Sequence, residues 1–342
     1  VTDDTAAFIA AVNATPPGSA LIIPTARACF RITAPLVITK AIGIRGEGWA
    51  SDSWGMRFGE AGFLAHFHGS VLCSTVTSGV ALKIATPAAG LHFADFAVIG
   101  TGTGTATGIS FGDDRAAQYL NQGTVTNVVA GNFGNGITIF SQNSAYYGLK
   151  AEGAAPAGVL PVGAGIYFGT NPAGTPNANH LSGLVVAGGN RVDLYVTGQS
   201  NDITGFDLEN PAPDDPTSVS LELYNCNECS ASTGYIESGA GQNYTGESVL
   251  VTGPEGSNNA IGATLTNLHI STTAAFNSLH IGWATHTTVI GGQMGRIVLE
   301  PNSCPANLLF DDYSGSTVIN RTPNCATFLD ETGILSGTAT LH

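Results

Sequence analysis

The sequence predicts an all-β solenoid, a single-stranded parallel β-helix, and three observations predict it. Short apolar strands recur at a fixed period, turn residues separate them, and one amphipathic helix pattern stands alone at the start. The clearest series reads GISFG from Gly108, GITIF from Gly136, GIYFG from Gly165, VDLYV from Val192, VSLEL from Val219, SVLV from Ser248 and SLHI from Ser278. The intervals are 28, 29, 27, 27, 29 and 30 residues, so a coil takes 27–30 residues. A second, weaker series follows half a period later: GLKAEG from Gly148, GLVVAGG from Gly183, GFDLEN from Gly205, GYIESG from Gly234 and NLHIS from Asn267. Such repeats bury their apolar sides only against neighbouring coils. A β-sandwich would place strands about 8–12 residues apart without the longer recurrence.

Stacked coils expose a core and unpaired edges at each end, so caps are expected. The helix pattern over Thr5–Val12 follows Asp3 and Asp4, an N-cap signature, and places Phe8, Ile9 and Val12 on one face. It is well placed to close the first coil. The whole chain, 1–342, reads as one domain: 1–20 the N-terminal cap, 21–320 the coils, 321–342 a C-terminal cap or tail. An irregular stretch from Gly48 to Gly69 carries Trp49, Trp54, His66 and His68 and reads as a capping loop, the alternative being an insertion over a groove. The opening, VTDDTAAFIAAVNATPP, does not read as a signal peptide, so either a leader has been removed or the chain is a piece of a larger protein.

Composition excludes several classes of function. Eleven basic residues against 25 acidic ones give a net charge of −14, which leaves no basic surface for nucleic acid or anionic membrane. No apolar stretch reaches transmembrane length. The acidity is concentrated: between Arg191 and Arg296 there is no Lys or Arg, while eleven carboxylates fall in that interval. Six cysteines are consistent with an oxidising compartment. They allow fifteen full pairings. Cys29 with Cys73 and Cys304 with Cys325 are the pairings expected here. Cys226-Asn227-Glu228-Cys229 lacks the second half of a zinc site and reads as a disulfide or a turn. No metal or other cofactor is expected.

The acidic interval contains the candidate chemistry. Side chains alternate along a strand, so in Gly205–Asn210 Phe206 and Leu208 face inward while Asp207 and Glu209 point outward, about 6.5–7 Å apart at the backbone. An inverting glycosidase spaces its two carboxyls by about 6.5–9.5 Å, a retaining one by about 5–5.5 Å. Glu237 lies one coil on, with its facing left open. Crowded like charges push one carboxyl towards its protonated form, as a general acid requires. Asp207, Glu209 and Glu237 are therefore the catalytic candidates. The alternative is that they are solvated charges. In the first series Tyr167 and Tyr195 alternate outward, with Phe140, Glu222, His280 and Glu300 at comparable positions. Tyr167, Tyr195, Glu222 and His280 are the substrate-binding candidates, aromatic faces being suited to sugar rings, although exposed aromatics also mark subunit interfaces. No GxSxG nucleophile elbow is present.

The segments Thr2–Phe8, Leu21–Pro24, Ile32-Thr33, Pro35–Ile38 and Ile44–Gly48 resemble the N-terminus of pectate-lyase-superfamily proteins, including phage tailspikes and β-helical glucanases. That resemblance covers roughly the first fifty residues, with Thr25-Ala26-Arg27 standing where a Gly-containing turn is usual. It implies a right-handed β-helix whose opening segments form the capping helix and the first two coils. The fold hosts hydrolases, lyases, epimerases and binders alike. The NTD, GHG and RIK runs of polygalacturonases, the WIDH-like run of calcium pectate lyases and the YG-DPH signature of alginate epimerases are all missing, so no catalytic residue carries over. The expectation is a glycoside hydrolase acting on an extracellular or bacterial surface polysaccharide, resembling a homotrimeric tailspike on a virion tail or, failing that, a secreted enzyme. A uronic-acid lyase or epimerase, with calcium recruited by the acids, and a non-catalytic glycan binder are the alternatives.

Overall fold

The computed structural model describes residues 2–26, 28–51, 58–61, 63–86, 88–113, 119–153, 163–170, 174–188, 190–209, 215–237, 246–256, 260–271, 277–300, 307–310, 317–320 and 326–329. Trp54, Asp214, Cys304 and Cys325 lie outside them. Coils of parallel strands stack along one axis and present three faces. Eleven strands form one sheet, here the third face, from Leu36–Ile38 through Ala164–Phe168, Val192–Gln199 and Val219–Asn227 to Thr317–Asn320. Eighteen more form a folded sheet that contributes the other two faces. Long strands such as Thr124–Gly131 run across its fold: Thr124–Thr126 pair with Ala145–Tyr147 on the first face, and Val129–Gly131 with Lys150–Glu152 on the second.

A line of left-handed backbone makes that fold. Asp95, Asn127, Gly148, Gly183, Gly205, Thr233 and Asn267 have φ between +50° and +66°, one per coil. Glycine takes this conformation without a Cβ clash, and Asn and Asp offset the cost with local hydrogen bonds. Asn127 Nδ2 donates to Asp95 Oδ1 of the preceding coil at 3.0 Å, so two of these corner residues bridge adjacent coils. These glycines, which open the second sequence series, thus sit at a corner and deliver the strand that follows to the second face.

Inward rows of apolar side chains fill the interior. The second face supplies Ala151, Val186, Leu208, Ile236 and Ile270, each in register with the next and at most 3% exposed. The third face supplies Ile137, Ile166, Leu194, Leu221, Val249 and Leu279, all at 0% exposure. Each such Val, Leu or Ile side chain contributes roughly 1.5–3 kcal/mol on burial. At the corner leading to the first face a polar stack replaces the apolar rows: Ser141 Oγ donates to Asn179 Oδ1, and Asn179 Nδ2 to Asn201 Oδ1. The next rung is Cys229, bonded to Cys226. Cys29 is bonded to Cys73 as expected.

The capping helix spans Thr5–Ala14. Val12 is buried and Phe8 packs on the core, but Ile9, expected on the same face, is 46% exposed. The cap also differs in detail. Asp4 is the N-cap residue without a side-chain cap bond, whereas Asp3 Oδ1 accepts from the Thr5 amide at 3.0 Å and Asp3 Oδ2 from Thr33 Oγ1 at 2.6 Å. Those bonds hold the Asp3 carboxyl down at about 2 and tie the helix to the first coils. Trp49–Ser51 and Phe67–Gly69 form an antiparallel hairpin outside the coils. It joins a satellite cluster with Phe63, Cys29 and Cys73, and Trp49 Nε1 donates to the Asn127 carbonyl at 3.1 Å.

Candidate active site

The second face carries the acids. Strand Asp207–Glu209 pairs in parallel with Val185–Ala187 on one side and with Tyr235–Glu237 on the other. Leu208 is fully buried while Asp207 and Glu209 are half-buried and point outward, as alternation requires. The facing left open for Glu237 is settled: it points outward, directly opposite Glu209, and Asp207 stands opposite Tyr235. Tyr235 extends the row through its ring, stacked on His269 with centroids 5.3 Å apart, and its hydroxyl donates to Glu237 Oε2 at 3.4 Å.

The electrostatics follow from this crowding. Burial pushes the Asp207 carboxyl up, and the Glu237 charge adds to it, against a contact with the Glu209 carboxyl. Burial also pushes Glu209 up, with Asp207 and Glu237 reinforcing it. Asp207 and Glu209 stand two residues apart on the same outward face, about 6.5–7 Å apart at the backbone, so each carboxyl lies in the field of the other.

Two groups here escaped sequence reasoning. Lys150, two coils before Asp207 in the same outward row, is 8% exposed and lies 3.8 Å from Glu152. Burial pulls its ammonium down to about 8, against the upward pull of Glu152 and Glu209. The base-free interval of sequence therefore has a base beside it in space. Asp193 is the second. It sits on the neighbouring third-face strand at 0% exposure, and neither carboxyl oxygen has a hydrogen-bond partner among the described residues. Burial raises its pKa strongly, with the Asn190 amide opposing and Glu209 reinforcing. The signal was the VDLYV run, where a charged residue stands in an otherwise apolar strand start.

The substrate-binding candidates form one outward row on the third face: Ser110, Thr138, Tyr167, Tyr195, Glu222, Leu250 and His280 occupy successive coils in register. Tyr167 and Tyr195 stack at 4.9 Å, Tyr224 continues the stack at 5.9 Å, and Phe140 meets Tyr167 edge-on at 6.4 Å. Phe140 is buried beneath this ridge. Burial raises the Glu222 carboxyl, with Arg191 opposing and Glu247 reinforcing. His280 hydrogen-bonds Glu247 through Nδ1, and its Nε2 lies 3.4 Å from Glu300, an ion-pair contact. Burial pulls its pKa down, but the two glutamates pull harder and raise it. The third-face row and the acids of the second face lie on different sides of the coil, so the candidates form two groups.

On the first face Ser230 Oγ donates to Asp202, which also meets His180 Nδ1 at 2.9 Å. The carboxylate rather than the imidazole sits in the middle, so His180 has no access to the serine proton in the manner of a nucleophilic triad. Among the described residues no group of three or more His, Cys, Asp and Glu has an arrangement suited to a metal ion. No helix among them is long and apolar enough to cross a membrane.

No family model and no curated relative matches the chain. Solved structures do. DFA-IIIase from Arthrobacter chlorophenolicus A6, in complex with GF2 and without its lid, is similar at a TM-score of 0.56 and 13% identity over 96% of this chain and 86% of that one. Tailspike protein 2 of Escherichia coli O157:H7 bacteriophage CAB120 gives 0.56 at 10% identity, covering 96% of this chain and 44% of that one. ORF18 of Geobacillus virus E2 gives 0.50 at 15%, covering 96% and 59%. At such identities the likeness speaks for the fold alone, and together with the stacked parallel coils it makes this chain a right-handed parallel β-helix.

Proposed function

We propose that the protein is a glycoside hydrolase that cleaves an extracellular polysaccharide, with Asp207, Glu209 and Glu237 as its acid, base or nucleophile. The observation that carries this reading is three outward, half-buried carboxylates on two paired strands, with Glu209 and Glu237 directly opposite. Asp207 and Glu237 are diagonal neighbours, which places their backbones about 8 Å apart given the strand rise and spacing. An inverting pair holds its carboxyl groups about 6.5–9.5 Å apart with a water between them, a spacing that side chains on these two backbone positions can span. In that scheme the water oxygen bonds to the anomeric carbon as its proton passes to one carboxylate. The glycosidic C–O bond breaks, and the leaving oxygen takes the proton held by the other carboxyl. The DFA-IIIase and tailspike likenesses support a carbohydrate substrate and a place outside the cell, on a virion tail or secreted, with a homotrimer as the tailspike-like assembly.

A uronate lyase is the second reading, and one observation favours it: Lys150 supplies a cation beside the acids. A panel of capsular, lipopolysaccharide and plant glycans analysed by mass spectrometry separates the readings. Products one water heavier than the bond cleaved, lost in Asp207→Asn and Glu237→Gln with folding intact, support the hydrolase. Unsaturated products absorbing in the near ultraviolet refute it. Binding without products from any glycan favours a non-catalytic binder.

A further inference from the structure

We propose that Lys150 is a positioning residue that sets the charge of the Asp207–Glu209 pair, an inference that rests on the proposed reading of Asp207, Glu209 and Glu237 as the reactive acids. Lys150 is in register between Val129 and Val185, so its methylene stem runs among valines while only its ammonium end needs polar company. Glu152 stands two residues on, between Gly131 and Ala187, and is 7% exposed. The strand separating these two from Asp207 and Glu209 carries only Val185 and Ala187 outward. Two short apolar side chains therefore floor a trough about two strand spacings, roughly 9.6 Å, across. Lysine and glutamate form one wall and the acid pair the other.

A buried ammonium in such a place is costly unless carboxylates face it. Among the described residues the groups that face Glu209 are Asp207 on its own strand, Glu237 and Tyr235 one coil on, Lys150 and Glu152 two coils back, and Asp193 on the adjoining face. Only Lys150 among them is a cation. Every other charge drives the pair towards double protonation, which would leave no base, and Lys150 alone opposes this. Its geometry therefore keeps one member of the pair ionised while the other holds the proton. Valine at the intervening position matters for the same reason: no polar side chain there competes for the ammonium.

The test is a carboxyl titration by NMR on the full chain carrying carbon-13 in its Asp and Glu carboxyl groups, with Glu209 assigned through Glu209→Gln. Lys150→Met is expected to raise the apparent pKa of Glu209 by about one unit, the scale set by one nearby opposite charge, and Lys150→Arg to restore most of it. An unchanged Glu209 titration in Lys150→Met overturns the proposal. Should Lys150→Met fail to fold, the reciprocal measurement decides. In Glu209→Gln the Lys150 ammonium, followed by its own carbon-13 shift, is expected to titrate below its value of about 8. No fall overturns the proposal equally. On any glycan the protein cleaves, the acidic limb of kcat/KM is expected to move up with Glu209 by the same amount, about tenfold in proton concentration. Cleavage with an unmoved titration refutes Lys150 alone. A moved titration in a protein that cleaves nothing refutes the hydrolase reading alone.

Discussion

Replacing Glu237 by Gln should make the protein more stable at neutral pH, because the site concentrates like charge at a cost to the fold. Glu237 and Glu209 are direct partners on adjacent parallel strands, so their backbones lie about one strand spacing, 4.8 Å, apart. Two unit charges at that distance repel by about 0.9 kcal/mol in water and about 3.5 kcal/mol at an effective dielectric near 20. Both side chains are half-exposed, so solvent screening places the gain near the lower figure, about 1 kcal/mol. The sign follows from linkage. A carboxyl whose pKa is raised on folding favours the native state below its unfolded pKa, and that contribution is lost as pH rises through the raised value. Glu209 is such a group, with Glu237 among the causes. The gain in Glu237→Gln should therefore be present at pH 7, absent near pH 3, and reduced in 1 M salt. Urea unfolding of both proteins at the two pH values measures it. A destabilised variant at pH 7, or an equal shift at both pH values, would refute the reasoning.

Other perturbations probe the frame that holds the site. Leu208→Ala removes a fully buried side chain between Val186 and Ile236 and should cost about 2.7–5 kcal/mol in urea unfolding, without changing the charges beside it. Replacing Cys29 and Cys73 together opens a loop of 44 residues, for which chain entropy gives about 4 kcal/mol; a melting temperature unchanged from the parent would contradict that. Gly183→Val forces a β-branched residue to φ +66° at the corner before the second face and should lose about 1–2 kcal/mol, whereas Gly79→Ala, equally left-handed but with open space around it, tests the backbone cost alone.

The coils were legible because their physics is local and repeated. A strand of four or five residues with alternating burial, a glycine at the corner and a fixed period leave a mark that needs no partner to be read. Asp207 and Glu209 were legible for the same reason, since alternation about Leu208 fixes their facing. Glu237 was harder, because its register depends on the length of the loop between coils, and only the observed pairing with Glu209 settles it. The first face was hardest of all. Strands such as His180–Ser182, Asp202–Thr204 and Ser230–Ser232 carry one buried residue each between two polar ones, too short a pattern to separate from turns. Ile9 erred in the opposite direction: its apolar side chain was read as core, although a capping helix covers the coil with a narrow stripe and leaves its flank to solvent.

Lys150 shows what a solenoid hides from linear reading. The charge map along the chain shows an acidic interval with no base inside it, and the lyase alternative therefore called on calcium recruited by the acids. In a helix of coils, however, residues about 28 positions apart are neighbours, and the relevant distance runs along the axis. Lys150 precedes the base-free interval, yet it belongs to the same outward row as Asp207, separated by a single strand bearing Val185. Folding the sequence at its own period before reading charges would have put it there. The acids thus gain a cation without any base entering their segment, and the same row supplies the Tyr235–His269 stack on the far side. A row with a lysine at one end, the Asp207 carboxyl in the middle and aromatic rings at the other is graded along the axis. Under the proposed function, a linear glycan laid along it would meet a different chemistry at each successive sugar, which would fix both its position and its direction.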